Sequence, residues 1–253
     1  MWADNQPYFP RRTPVGLFDR KDDTLPDSAE PNGPLESMAN AFVGRIVDAG
    51  IKGPGPMASS HKVAAAALKK ADGDVQKAVD EIVSDHVKLA SAGGFVTGVG
   101  GLVTMPVSLP ANVLGFYVLA TRMVAAMAEL RGYDVNAPGA RAAISLALVG
   151  ADAEDILQKT GLSVAAGMTG SGRLARMAMD RMPKAAGMMV NKAVGFRLLT
   201  TVGGRALGKL IRFVPVAGGV VGAGLDGVLM KRLADHARRE FVQTSPGGTP
   251  VAG

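Results

Sequence analysis

The chain has 253 residues, 47% of them hydrophobic and only 5% aromatic, so it can bury one good-sized core built from Ala, Val, Leu and Met rather than from large rings. It contains no cysteine, which excludes disulfides, thiolate metal sites and a thiol nucleophile and fits a reducing compartment. The formal net charge of +6 is uneven: Lys159 to Phe241 carries 14 Lys/Arg against 4 Asp/Glu, a basic half suited either to an anionic surface or to coating solvated helix faces.

Residues 1–36 hold Pro7, Pro10, Pro14, Pro26, Pro31 and Pro34 among interspersed charges, with no helical or strand period. A disordered arm is expected there. Its first residues lack a basic and an apolar region, so no secretory signal is expected. Trp2, Tyr8, Phe9 and Phe18 lie in this arm, where a functionless tail outweighs a docking motif. Residues 243–253, rich in Gly, Pro and Thr, read as a loose tail.

A single helical domain is expected over residues 37–242. Met38, Ala41, Phe42, Ile46 and Val47 recur at three- and four-residue spacing, which predicts an amphipathic helix over 37–51. Gly53-Pro54-Gly55-Pro56 stops it. A second helix is predicted over 57–71, and Asp72-Gly73-Asp74 supplies a turn and an N-cap for a third. From Leu89 to Thr121 there are 33 residues without a charge. That exceeds the roughly 20 that cross a bilayer as one helix. Interruption by Gly93-Gly94, Gly98, Gly100-Gly101, Pro106, Pro110 and Gly115 predicts two shorter helices broken near Pro106 to Pro110 instead.

Gly132 to Pro138 reads as a turn, with Pro138 in the first turn of a helix that runs to about Gly150. Asp152 can cap a short helix closing at Gly161. Further helix is predicted from Leu162 to Gly203, broken at Gly170-Ser171-Gly172 and at Pro183. Six of thirteen methionines fall here, for which core filling outweighs an adaptable binding surface. A second uncharged run, Phe213 to Leu225, leads through Asp226 and Gly227 into a final helix. No strand-like alternation of useful length appears, so the fold class is all-α: a compact multi-helix domain with two glycine-rich apolar helical segments packed at the centre.

Glycine-rich loops invite a nucleotide reading, which the residues do not support. A P-loop needs a lysine and Ser/Thr after the glycines, and Gly98 to Thr104 offers no lysine. A dinucleotide fingerprint needs a preceding strand and a later acid. No serine sits in a nucleophile elbow. His61, His86 and His236 have no ligand-like spacing and are read as surface or helix-end residues. Asp152, Glu154 and Asp155 fit the first turn of a helix better than a metal site. No metal, no cofactor and no catalytic residue is therefore expected. Nucleic acid is not an expected partner either, because the basic half is not interleaved with aromatics.

What the glycines can do is let helices touch. Gly94 and Gly98, and Gly218 and Gly222, stand four apart, and Gly101 follows the first pair; such spacing aligns bare patches on one helix face. Arg122 and Asp226 interrupt apolar settings, and a buried charge is costly unless paired. They are expected to approach each other or share polar partners, against the alternative that both reach water at the ends of their apolar faces. Together with Asn191 and Arg197 they are the candidates for polar groups around a ligand or within the core.

Several of these residues resemble one family. Gly93-Gly94-Phe95-x-Thr97-Gly98-x-Gly100-Gly101-Leu102-x-Thr104-x-Pro106, followed by Leu109-Pro110-Ala111-Asn112, is similar to the opening of the EcsC family of bacterial proteins. Arg122-Met123-x-Ala125-Ala126, Gly132-Tyr133-Asp134, Gly195-Phe196-Arg197-Leu198-Leu199-Thr200 and Val214-Pro215-x-x-Gly218-Gly219-x-x-Gly222 extend the resemblance over about residues 60–241. The family takes its name from a protein encoded beside an ABC transporter, which implies membrane-linked duties. It carries no agreed activity, so the resemblance transfers no catalytic residues.

The leading expectation is a non-enzymatic, cytoplasmic protein, peripheral at the inner face of the membrane and accessory to transport or envelope processes. Its expected partners are an anionic membrane surface and a protein such as a transporter component. Two alternatives stay open: a soluble helical domain binding an apolar ligand or protein partner between the glycine-rich segments, and an uncharacterised enzyme.

Overall fold

The computed structural model describes residues 34–99, 101–150, 153–159, 171–181, 187–196, 198 and 215–243; of these, the side chains at 34–36, 38, 94–99, 101–113, 155, 159, 180–181 and 215–223 are left aside. The chain forms two units, Met1–Gly33 and Pro34–Gly253, and every described residue belongs to the second. The expected N-terminal arm and the tail from 244 onward lie outside the described residues. Among the described residues there are nine helices and no strand, as the all-α expectation required.

The first helix, α1 (Pro34–Lys52), buries Ile46 and Val47 of the expected stripe together with Ala39 and Val43, while Ala41 is exposed and Phe42 half-buried, so the buried face is turned from the one its spacing predicts. Helix α2 (Ser60–Lys70) is capped by Ser59, whose hydroxyl accepts the Lys62 amide at 3.3 Å. At its other end Asp72 and Gly73 take left-handed backbone angles, φ 52° and 86°. The Gly73 amide reaches back to the Leu68 carbonyl at 2.9 Å, which closes the helix as a Schellman turn. Asp74 then accepts the Gln76 and Lys77 amides at 2.9 and 3.0 Å and so opens α3 (Val75–Val99).

The break expected at Pro106 to Pro110 is not there. The chain leaves α3 after Val99 and enters α4 (Gly101–Leu130), which runs through both prolines. Each proline removes one intrahelical bond and disfavours rather than forbids continuation. The two stand four apart, so both losses fall on one side of the helix and the remaining ladder carries on. Among the described residues α3 ends at Val99 and α4 begins at Gly101 instead.

Pro138 occupies the first position of α5 (Pro138–Val149), as predicted, and α6 follows at Ala153–Lys159. The expected caps at Asp152 and Gly161 lie outside the described residues. Next come α7 (Arg173–Arg181) and α8 (187–196). Met177 is buried on α7, whereas Met188 and Met189 are exposed on α8, so the methionine-rich region is core only in part. The last helix, α9 (Pro215–Glu240), takes in the second uncharged run from Pro215 to Leu225. It begins on a proline, whose missing amide would have no partner there anyway.

Helix α4 is the axis of the core. Thr121 to Ala128 are eight successive buried residues, and α4 touches α1, α2, α3, α5 and α9. Close crossings around it rest on residues without side chains. A Cβ on Gly50 of α1 would lie 2.5 Å from the Thr121 side chain, and one on Gly195 of α8 would lie 2.3 Å from the Ala39 carbonyl oxygen of α1. The most extensive helix pairing is that of α3 with α9. Gly227 sits against Ser91, and Arg238 binds Asp80 at 2.6 Å, so the two helices run antiparallel in a constant register.

Candidate functional site

Helices α3, α4 and α9 pack against one another, and a buried polar pair joins α3 to α4. Arg122 of α4 is 7% exposed and donates its Nε–H to Nε2 of His86 on α3 at 3.2 Å. His86 in turn donates its Nδ1–H to the Ile82 carbonyl, 2.7 Å away and one turn earlier. The two bonds fix one tautomer: a neutral imidazole whose single lone pair is already used. Burial, followed by the neighbouring Arg122 charge, outweighs the Ile82 hydrogen bond and pushes the His86 pKa down to about 4. Bound this way, His86 has no basic nitrogen to offer a substrate. It satisfies the buried Nε–H of Arg122 with a hydrogen bond while supplying no countercharge.

His86 was missed by the reading of the histidines as surface or helix-end residues. The signal was present, since Val79, Ile82 and His86 stand at i, i+3 and i+7 on the buried stripe of α3. His61 does fit that reading and is exposed, whereas His236 is half-buried on α9, with burial and the Arg239 charge lowering its pKa.

The other sequence candidates are distributed as follows. Asp226 is half-buried on α9, which packs against α4, the helix of Arg122. Asn191 is half-buried on α8, and its Oδ1 is buried with no hydrogen-bond partner among the described residues. Arg197 lies outside the described residues. Gly94, Gly98 and Gly101 are helical in α3 and α4, and Gly218 and Gly222 are helical in α9, but their surroundings are not among those described. Glu154 of the acidic cluster binds Arg173. Among the described residues no group of three or more His, Cys, Asp or Glu is placed to hold a metal ion.

A second polar cluster ties α2 to α4. The Ser60 hydroxyl donates to one oxygen of Glu129 at 2.5 Å, and His61 Nδ1 lies 3.1 Å from the other. Ser60 is fully buried and its proton faces a carboxylate, not an imidazole. The cluster therefore locks helices together and does not activate a nucleophile.

Beyond the His86–Arg122 pair the surface changes character. Leu89 on α3, Leu114 on α4 and Leu225, Val228 and Leu229 on α9 are 42 to 55% exposed. On α9, Gly227, Met230, Ala234 and Ala237 form the buried face. Leu225, Val228, Leu229 and Arg232, at i, i+3, i+4 and i+7, form the opposite one. A helix apolar on both faces normally has both covered. Past this collar the three helices carry no charge: 89–99 in α3, 101–121 in α4 and 215–225 in α9.

Residues 51–243 match the model of the EcsC protein family. The chain belongs to this family. The matched span takes in every helix that builds the collar and the buried polar pair, and the extent expected from the sequence motifs was nearly the same. No curated protein and no solved structure matches the chain. Among the described residues of this EcsC-family protein, no helix is long and apolar enough to cross a membrane.

Proposed function

We propose that this EcsC-family protein is a non-enzymatic, peripheral membrane-associated helical protein, accessory to transport or envelope processes, that works at the cytoplasmic face of the membrane. The carrying observation is the shared apolar end of α3, α4 and α9, charge-free in all three helices and ringed by five exposed large apolar side chains. Exposed apolar patches that join into one surface mark interaction sites. The antiparallel pairing of α3 with α9 at Gly227–Ser91 and Arg238–Asp80 supports the same reading, because a close seam between the two glycine-rich runs needs these helices side by side. The glycines of both runs then serve as the seam that holds the apolar end together.

The functional groups of the described core favour a binding role over catalysis. Arg122 bonds to His86 and Ser60 to Glu129 across helices, and His86 spends its other ring nitrogen on the Ile82 carbonyl of its own helix. The test is partition. Cells expressing the full chain are fractionated, and purified protein is floated with vesicles of mixed neutral and anionic phospholipid. Recovery in the membrane fraction and in the floating layer is expected. Recovery wholly in the soluble fraction at low salt, with no flotation, removes the proposal.

A further inference from the structure

The buried pair between α3 and α4 leaves a charge unanswered. Arg122 is 7% exposed, and its bond to His86 is the one hydrogen bond or ion pair it makes among the described residues. His86 gives its own proton to the Ile82 carbonyl, so it meets Arg122 as a neutral ring and engages Nε alone. Burial lowers the pKa of Arg122, and no acid acts on it in the opposite direction. A guanidinium carries donors on both Nη groups as well as on Nε. Those Nη donors face a setting that supplies them with neither acceptor nor countercharge, and a buried cation left so is costly. An oxyanion that takes two parallel N–H bonds is the partner that matches the fork. We propose that Arg122 binds the phosphate or carboxylate head of an anionic amphiphile, whose hydrocarbon chain lies in the cleft between α3 and α4 rimmed by Leu89 and Leu114.

The cleft follows from the residues around the pair. The chain turns back from α3 into α4, so residues after His86 and residues before Arg122 lie on the same side of their contact. Gly93 stands seven positions after His86, and Gly115 seven positions before Arg122. Each is thus about two turns along the helix face that carries the pair. Neither has an atom within 4 Å of its Cβ position, so both helices leave open space there. Leu89 and Leu114, beside these positions, are 51% and 42% exposed. A ligand chain laid along them would take this apolar surface out of water. An apolar cleft with one charged group at its base is the usual form of a site that orients a ligand by its head. The site goes beyond the membrane reading and stands without it, because a monomeric amphiphile in water can fill it.

Calorimetric titration of the full chain tests this, with each probe kept below its micelle concentration. Dodecyl phosphate and dodecanoate are the matching probes, dodecyl maltoside is the neutral chain, and inorganic phosphate is the head alone. Both anionic amphiphiles are expected to bind and to raise the melting temperature in step with their concentration. Dodecyl maltoside should bind at least about tenfold more weakly, as should either anionic probe to Arg122→Met, whose fold is checked by circular dichroism. Inorganic phosphate should bind at least about a hundredfold more weakly than dodecyl phosphate. Gly115→Leu fills the cleft without touching Arg122, and should weaken the amphiphiles while leaving helicity intact. The Nε–H resonance of Arg122 should move on addition of dodecyl phosphate. Equal binding by Arg122→Met, or no binding of either anionic amphiphile, overturns the proposal. Inorganic phosphate as tight as dodecyl phosphate assigns Arg122 to a free anion and overturns the part played by the chain. Failure of vesicle flotation alongside tight dodecyl phosphate binding removes the membrane reading and leaves this site standing.

Discussion

Arg122 on α4 donates its Nε proton to Nε2 of His86 on α3 across 3.2 Å, and both side chains are buried. Because burial holds His86 neutral, with a pKa of about 4 against an ordinary 6.5, the folded chain binds one proton fewer than the unfolded chain between those values. The sign follows. Stability from this group is fully present above the unfolded value of 6.5, declines as the pH falls, and levels off below about 4. A shift of this size is worth roughly 3 kcal/mol. Urea midpoints at pH 7 and pH 4.5 should therefore differ more in the natural protein than in His86→Gln, which still offers Arg122 an amide oxygen. Burial raises the pKa of Glu240, a shift of opposite sign for stability that is common to both proteins, so the comparison isolates His86. Equal slopes in the two would disprove the assignment.

Two glycines in helices should answer the same substitution in opposite directions. A Cβ on Gly195 would lie 2.3 Å from the backbone oxygen of Ala39, so Gly195→Ala must push α8 away from α1. Overpacking of this kind costs about 1–3 kcal/mol. Gly44 of α1 has nothing within 4 Å of its Cβ position. Gly44→Ala should therefore gain up to about 1 kcal/mol of helix propensity. Chemical denaturation of both variants checks the pair, and a stabilised Gly195→Ala would mean that the crossing is looser than described.

That contrast also explains what the sequence could and could not reveal. The existence of α1, the Asp74 cap and the Pro138 start are local, because each depends on spacing or on one residue's backbone preference, whereas the exact buried face of α1, with Ala39 and Val43 in and Ala41 out, depends on what packs against it. The course of α4 through Pro106 and Pro110 was not legible, since it turns on whether neighbouring helices repay two missing bonds, and those neighbours are remote in sequence. Gly44 and Gly195 look alike in sequence and differ only in what crosses them. The same holds at the site. Arg122 announced itself by following 33 uncharged residues. Its partner on α3 is 36 positions away, so only the phase of His86 with Val79 and Ile82 could have pointed to it.

The turn between α2 and α3 offers a test of backbone conformation without packing. Gly73 has φ 86°, and nothing lies within 4 Å of its Cβ position. Gly73→Ala should cost about 1–2 kcal/mol through strain in the left-handed region alone. Gly73→Asn should cost less, because Asn tolerates that region better. Equal losses for the two would show that tolerance of the left-handed dihedral angle does not govern this position.

Arg131 closes the far end of α9. Its Nη1 donates to the carbonyl of Arg238 at 2.8 Å and to that of Phe241, and the Phe241 ring meets Tyr133 edge-on at 5.2 Å. A cation placed here satisfies carbonyls that have no partner within the helix and sits at the negative end of its dipole. Arg131→Met leaves those carbonyls buried beside an apolar chain and should cost about 2–3 kcal/mol. Arg131→Lys keeps the charge but not the guanidinium fork, and should recover about half of that loss. Hydrogen exchange locates the effect: amides in the last two turns of α9 should lose protection, while those of α2 should not. Since α9 also forms the seam with α3, fraying at this end should leave the apolar end near Leu225 intact. A loss of protection spread over the whole domain would instead make Arg131 a global core residue.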